Sequence, residues 1–263
     1  MLRVGIVLVG ARVTLAQIAG LGWVALLAIL VIVAAAMGSG VLASRKFGFG
    51  AAFGALAGGA VAICGASAAM ALATVLGEKR INQAQLALVL VGISAMSAAT
   101  MVLYPILCHH LGFDDRQAGF VLGAAIHDVA QSLGAGYSFS QAAGQNAAIV
   151  KLTRVALLAP ALAATSYFFP GEEGRANPLK LPWFVAGFFI LAAINSTGVV
   201  PAQVGDGATA LATGLLVCAV TATGIRSPMQ TLLQSGPKPL LTILIASLVA
   251  LVLACLTAGF LLH

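Results

Sequence analysis

Short polar connectors divide the chain into roughly nine apolar stretches, and a helix needs about 20 such residues to cross a bilayer core. They lie near 2–18, 21–43, 50–76, 84–108, 117–136, 140–168, 181–200, 205–224 and 238–262. The connectors hold Arg45 and Lys46, then Glu78, Lys79 and Arg80, then Asp114, Asp115 and Arg116, and finally the stretch from Pro170 to Lys180. Hydrophobic residues make up 61% of the chain and charged residues 8%. A soluble domain carries roughly a quarter charged residues, so a water-soluble surface cannot be built from this pool. The expected fold class is an all-α membrane protein, a polytopic helical bundle in a lipid bilayer.

The formal net charge is +6. No basic run is interleaved with aromatics, so nucleic acid is not an expected partner, and the excess fits basic loops on the cytoplasmic side. Cys64, Cys108, Cys218 and Cys255 are scattered through apolar runs without a C-x-x-C, which speaks against a zinc site or a disulfide framework. No cofactor is implied, and no nucleotide-binding motif supports an ATP-driven pump. Monomer and homodimer stay open.

Orientation follows from counting Lys and Arg on each face. If every segment crosses, one face collects Arg3, Arg45, Lys46, Arg116, Arg175, Lys180, Arg226 and Lys238, and the other only Lys79 and Arg80. This predicts a cytoplasmic N-terminus and an external His263 in a bacterial inner membrane. A single re-entrant segment would reverse everything after it. No cleavable signal peptide is visible: the first stretch contains Arg12 and runs directly into the second span.

An internal repeat is suggested by two matches. Ala11-Arg12-Val13-Thr14-Leu15-Ala16 resembles Thr153-Arg154-Val155-Ala156-Leu157-Leu158, each after an Ile-Val pair. Val61-Ala62-Ile63-Cys64 resembles Leu215-Leu216-Val217-Cys218. Segments one to four would then match six to nine, giving repeats 1–110 and 111–263 in one membrane domain. The odd offset makes them inverted, a signature of secondary transporters. Trp23 and Trp183 open equivalent segments. Segments three and eight are rich in small residues around Cys64–Ser67 and Thr221–Gly224, and are expected to be broken helices that cross.

Ionisable residues inside apolar segments are costly unless paired or hydrated. Arg12, Asp128, Lys151 and Arg154 are such residues, three positive against one negative, a balance that suits an anionic substrate. Lys151 and Arg154 share a helix side. The alternatives are that these cations satisfy freed carbonyls of a broken helix, or that one locks Asp128 in a salt bridge. Segment five adds His127, Gln131 and Ser132 to Asp128, and His127 with Asp128 suits proton relay. A metal site lacks a ligand set of familiar spacing. A catalytic role for His127 and Asp128 lacks a nucleophile, unless folding brings up Cys64 or Ser67.

At these residues the chain resembles a family of bacterial membrane proteins assigned as sulfate exporters, the YeiH-like conserved hypothetical proteins. Gly123 to Gly136, with its core His127-Asp128-Val129-Ala130-Gln131, looks like the family signature, which usually carries Glu in place of Asp128. Leu2–Leu8, Ile63–Ser67, Val150–Val155 and Gly236–Leu240 fit as well. The resemblance implies a fold similar to the cation/proton antiporter and bile-acid symporter superfamily, with two crossing broken helices. It also implies about two further N-terminal helices in relatives, so the first repeat is expected to be incomplete here. The resulting expectation is a secondary transporter, not an enzyme, that exports a small anion such as sulfate or an organosulfonate with H⁺ or Na⁺. Its binding residues are expected among Cys64, Gly65, Ser67, His127, Asp128, Gln131, Lys151, Arg154, Thr221 and Thr223, with Arg12 as an addition. A cation/proton antiporter using Asp128 is the alternative, against which the surplus positive charge argues.

Overall fold

The computed structural model describes residues 22–170, 183–198 and 237–261, with isolated positions between 4 and 16 and between 201 and 218. Among the described residues the structure is helical, with no strand. The elements are α1 (Gly22–Lys46), α2 (Ala51–Ala62), α3 (Ala66–Leu76), α4 (Gln83–His110), α5 (Asp115–Ala125), α6 (Val129–Phe139), α7 (Gln141–Ala156), α8 (Leu158–Phe168), α9 (Trp183–Ser196) and α10 (Pro237–Leu261).

Among the described residues, four helices are long and apolar enough to span a bilayer: α1, α4, α7 continuing into α8, and α10. Trp23, Leu30, Val31, Leu103, Val252 and Phe260 face outward, as a lipid-facing surface requires. The starts of α4 and α5 are fixed by reciprocal capping boxes. Asn82 Oδ1 accepts from the Gln85 N–H at 2.8 Å, and Asp114 Oδ1 accepts from the Gln117 N–H at 2.8 Å.

Segments three and five do not cross. Each folds back as a helical hairpin. In segment five the Ser132 hydroxyl on α6 donates to the Leu122 carbonyl on α5 at 2.9 Å, so the half-helices lie side by side. Phe139, at the far end of α6, stacks on His109 at the end of α4 with centroids 4.1 Å apart. Both ends of α5–α6 therefore sit on the His109 face. In segment three the Leu72 side chain lies over Gly59. Coaxial half-helices would hold those two residues about 20 Å apart. The ends of α2–α3 lie on the opposite face, where Arg80 donates to the Phe169 and Pro170 carbonyls at 3.1 and 3.0 Å.

The expectation that all segments cross is thus corrected, and with it the distribution of charge. Lys79 and Arg80 move to the face of Arg45 and Lys46. Arg116 moves to the other face with Asp114 and Asp115. The C-terminal end of α10 sits on the His109 face, because Gln117 Nε2 donates to the Ala258 carbonyl at 3.0 Å, which leaves Lys238 on the Arg80 face. Two re-entrant segments cancel, so α7 onward keeps the direction expected from sequence.

Small residues make this folding possible. A Cβ on Gly54 would lie 2.5 Å from the Val41 Cα, and one on Gly58 would lie 2.9 Å from the Ala36 carbonyl, so α1 and α2 pack backbone to backbone. Gly119 and Gly123 do the same for α5 against α7, and Gly136 for α6 against α7. The two hairpins correspond at a constant offset: Ala62 to Ala125, Ala66 to Val129, Leu76 to Phe139. Each follows a long helix, and the two insert from opposite faces. This inverted relation lies within residues 22–139. The expected break at Thr221–Gly224, and Arg12 in the first segment, lie outside the described residues.

Sidedness separates hairpins from crossing helices. In a background lacking the native cysteines, single cysteines at Lys46 and Lys79 should be labelled from the same face by an impermeant maleimide. Those at Arg116 and Gln141 should both be labelled from the other. Opposite labelling within either pair would overturn the hairpin topology.

Candidate functional site

Every helix end leaves backbone groups without intrahelical partners, and at membrane depth water is not there to take them. The two hairpin tips place four such ends together. At the tip of α2–α3, Ile63 N–H donates to the Gly59 carbonyl at 3.2 Å, and Gly65 N–H to the Ala60 carbonyl at 2.9 Å. The Val61 and Ala62 carbonyls are left over. At the tip of α5–α6 the chain runs extended through Ile126 and Asp128, freeing the Gly123 and Ile126 carbonyls.

Arg154 on α7 takes all four. Its Nε and Nη2 donate to the Ala62 carbonyl at 2.9 and 2.6 Å, and Nη2 also to Val61 at 3.0 Å. Its Nη1 donates to Gly123 at 3.1 Å and Ile126 at 3.3 Å. Lys151 Nζ, one turn earlier, donates to Ile126 at 2.6 Å. Both side chains are 0% exposed. Among the described residues no carboxylate lies within 4.0 Å of either. Of the two structural alternatives, the cations satisfy freed carbonyls and the salt bridge to Asp128 does not form. The negative ends of the α2 and α5 dipoles face them, which favours positive charge there.

Asp128 has a different task. Its Oδ1 accepts from the Ala130 and Gln131 N–H groups at 2.9 and 3.3 Å and caps α6. Aspartate is among the best N-caps, because its short side chain reaches the first free N–H groups of the helix. Its own N–H donates to Ser97 Oγ on α4 at 3.0 Å. His127 Nε2 lies 2.7 Å from Ser247 Oγ on α10.

The corresponding position in the other hairpin is Gly65, with φ +64° and ψ −125° and no side chain to cap α3. Among the described residues the Ala66 and Ser67 N–H groups have no protein acceptor. The Gly65 α-carbon faces the Asp128 backbone, a Cβ there lying 3.8 Å from it, so the two tips are in contact.

The structure therefore gathers Cys64, Gly65, His127, Asp128, Lys151 and Arg154 at one locus, with Gln131 buried in the first turn of α6. Ser67 is in the first turn of α3 with its side chain exposed. Arg12, Thr221 and Thr223 lie outside the described residues. Ser132, read from the sequence as part of the segment-five polar cluster, bonds the Leu122 carbonyl, whereas Ser97 and Ser247 were not anticipated. Each of the latter two is a lone hydroxyl in an apolar helix, and only the partner across the bundle distinguishes it from a serine bonded to its own turn.

The fold and site define a multi-pass helical membrane protein with two opposed hairpins meeting at a charged centre. Residues 1–243 match the family described as Conserved hypothetical protein 698, and the chain belongs to it. It is 40% identical over 248 residues to the UPF0324 membrane protein TauZ of Paracoccus denitrificans, covering 92% of this chain and 73% of that protein. A UPF0324 membrane protein of Rhizobium meliloti is 39% identical over 252 residues, covering 94% and 72%. One of Chlorobaculum tepidum is 37% identical over 254 residues, covering 95% and 71%. No solved structure matches the chain.

Removing the guanidinium leaves buried carbonyls unpaired at about 1–3 kcal/mol each. Arg154→Ala should lower stability by at least about 3 kcal/mol, read as a loss of several degrees in Tm in detergent. Asp128→Asn, which keeps a good N-cap, should stay within about 1 kcal/mol of the parent. An Arg154→Ala protein melting with the parent would refute the bolt at the hairpin tips.

Proposed function

We propose that this protein is a secondary transporter that carries a small anion, such as sulfate or an organosulfonate, across the bacterial inner membrane. The observation that carries this reading is the pair of fully buried cations, Lys151 and Arg154, against a single carboxylate, Asp128, which caps α6 and forms a salt bridge with neither. Charge of one sign at membrane depth is costly, and a bound anion offsets it. The open N-terminus of α3 supplies unpaired N–H groups and positive dipole at the same locus, the arrangement by which helix ends hold anions. Broken helices meeting inside the membrane are the usual setting of transporter sites.

The two hairpins supply the gates. One is reached from the Arg80 face, the other from the His109 face, so moving either tip opens the centre to one side only. The Arg80 face carries Arg45, Lys46, Lys79, Arg80 and Lys238 against Arg116 on the other, which supports reading it as the cytoplasmic face. On this reading His263 is external. A cation/proton antiporter fits less well, because Asp128 already spends an oxygen on two backbone N–H groups. An enzyme fits less well too, because the hydroxyl beside His127, that of Ser247, donates to the Ile243 carbonyl, and both Ser247 and Cys64 are buried.

Sulfate or short alkylsulfonates should raise the Tm of the purified protein, while chloride at equal ionic strength should not. Lys151→Gln keeps a donor for the Ile126 carbonyl but removes the charge. It should weaken anion binding by tenfold or more, about 1.4 kcal/mol, and slow sulfonate flux into proteoliposomes. Unchanged affinity in that variant would sink the proposal.

A further inference from the structure

Hydrogen accounting at the α5–α6 tip identifies a second, smaller ligand. The Ser247 hydroxyl has one hydrogen and donates it to the Ile243 carbonyl at 2.7 Å. With its hydrogen so placed, it faces His127 Nε2, also 2.7 Å away, as an acceptor, one of the two roles the ring's tautomers allow. That nitrogen carries the imidazole hydrogen, and a neutral ring has only one. Nδ1 is then a bare lone pair. It is buried and has no partner, and the Gln131 Oε1 is buried without a partner as well. The two buried atoms without partners sit four positions apart in the chain, one just before the α6 N-cap and one in its first turn.

Buried acceptors need a donor or a cation. A metal ion would need an oxygen shell, and the carbonyls freed at the tips are already occupied. Val61, Ala62, Gly123 and Ile126 are held by Arg154 and Lys151, and Leu122 by Ser132. Among the described residues no three of His, Cys, Asp or Glu converge on one point. The Asp128 carboxylate is engaged as the α6 cap.

We infer that the coupling ion is a proton, seated on His127 Nδ1 and bound together with the anion. The inference rests on the anion-carrier reading above. The step is simple: the Nδ1 lone pair takes a proton from solvent, an N–H bond forms, and the imidazole becomes an imidazolium. Nδ1 then has a hydrogen to offer, and Gln131 Oε1, four positions on, is the other buried atom without a partner.

Charge explains why the two ligands bind together. Lys151 and Arg154 approach from α7, Asp128 from the same tip and Cys64 from the other hairpin. α4 and α10 contribute only the uncharged Ser97 and Ser247. A third positive charge is opposed by two cations until an anion arrives. The anion then favours the proton, and by reciprocity the proton favours the anion to the same degree. A monovalent anion and its proton cross as a neutral pair.

Titration calorimetry of the purified full-length protein, in two buffers of different ionisation enthalpy, counts protons taken up with sulfate or ethanesulfonate. Uptake should be about one proton per anion. His127→Gln keeps a donor for Ser247 but cannot titrate, so it should bind the anion more weakly and take up none. Ser247→Ala should still take up the proton. In ¹⁵N-histidine-labelled wild type, one ring nitrogen should change from bare to protonated on anion addition, which locates the seat without mutation. Anion binding without proton uptake, uptake that persists in His127→Gln, or a strict Na⁺ requirement overturns the proton seat. Absence of any anion binding defeats the carrier reading instead.

Discussion

The guanidinium of Arg154 is the interaction on which the rest of this structure depends. Two helices end in the middle of an apolar bundle, and each end frees carbonyls that nothing in lipid can satisfy. One planar donor group reaches both ends, because five N–H bonds diverge from it in fixed directions. Remove that group and neither hairpin has a reason to stop where it does. The hairpins in turn require glycine: Gly54 and Gly58 let α2 close on α1, and Gly119 and Gly123 let α5 close on α7, the helix that carries the arginine. The small-residue stripes and the buried arginine are therefore parts of one solution.

The hairpins match in length and offset but not in chemistry, and the difference gives the centre its polarity. At α6 the N-terminus is closed by Asp128, whose carboxylate balances the dipole locally. At α3 the same position is Gly65, which closes nothing. One N-terminus is satisfied internally and the other is left for something from outside. Had both carried a carboxylate, the centre would hold two cations and two anions and need no ligand. Had neither, both hairpins would lack a cap. The asymmetry leaves a centre that is complete except for one negative charge.

Much of this was legible in the sequence, and what was missed has a common physical cause. Apolar length identified every long helix, because span length is set by the bilayer alone. The break near Cys64 followed from a run of glycine and alanine. Lys151, Arg154, His127 and Asp128 stood out because charge in an apolar run needs a partner. Sequence could not say which partner. Two partners stayed open for the cations, freed carbonyls or Asp128, and they bind carbonyls while Asp128 caps its own helix. Segment five looked like a continuous helix with a polar cluster, since Ile126-His127-Asp128 contains no glycine or proline to mark a break. Re-entrance itself was invisible: a hairpin and a crossing helix of equal length have the same composition, and differ only in contacts such as Leu72 over Gly59.

The faces of the hairpins also decide how the two halves of the tip respond to motion. The α5–α6 tip is held by Lys151, Arg154, Ser97 and Ser247, from three separate helices. The polar anchors of the α2–α3 tip among the described residues come from Arg154 alone. Withdrawing α2–α3 breaks bonds to one side chain. Withdrawing α5–α6 breaks bonds to α4, α7 and α10 together. The less tethered hairpin is also the one with the uncapped N-terminus, so on the proposed carrier reading an anion held there would add a link at the tip that has fewest. Binding would then stiffen the loose gate while leaving the anchored one nearly as it was, which is the differential contact that a ligand needs in order to shift a conformational equilibrium.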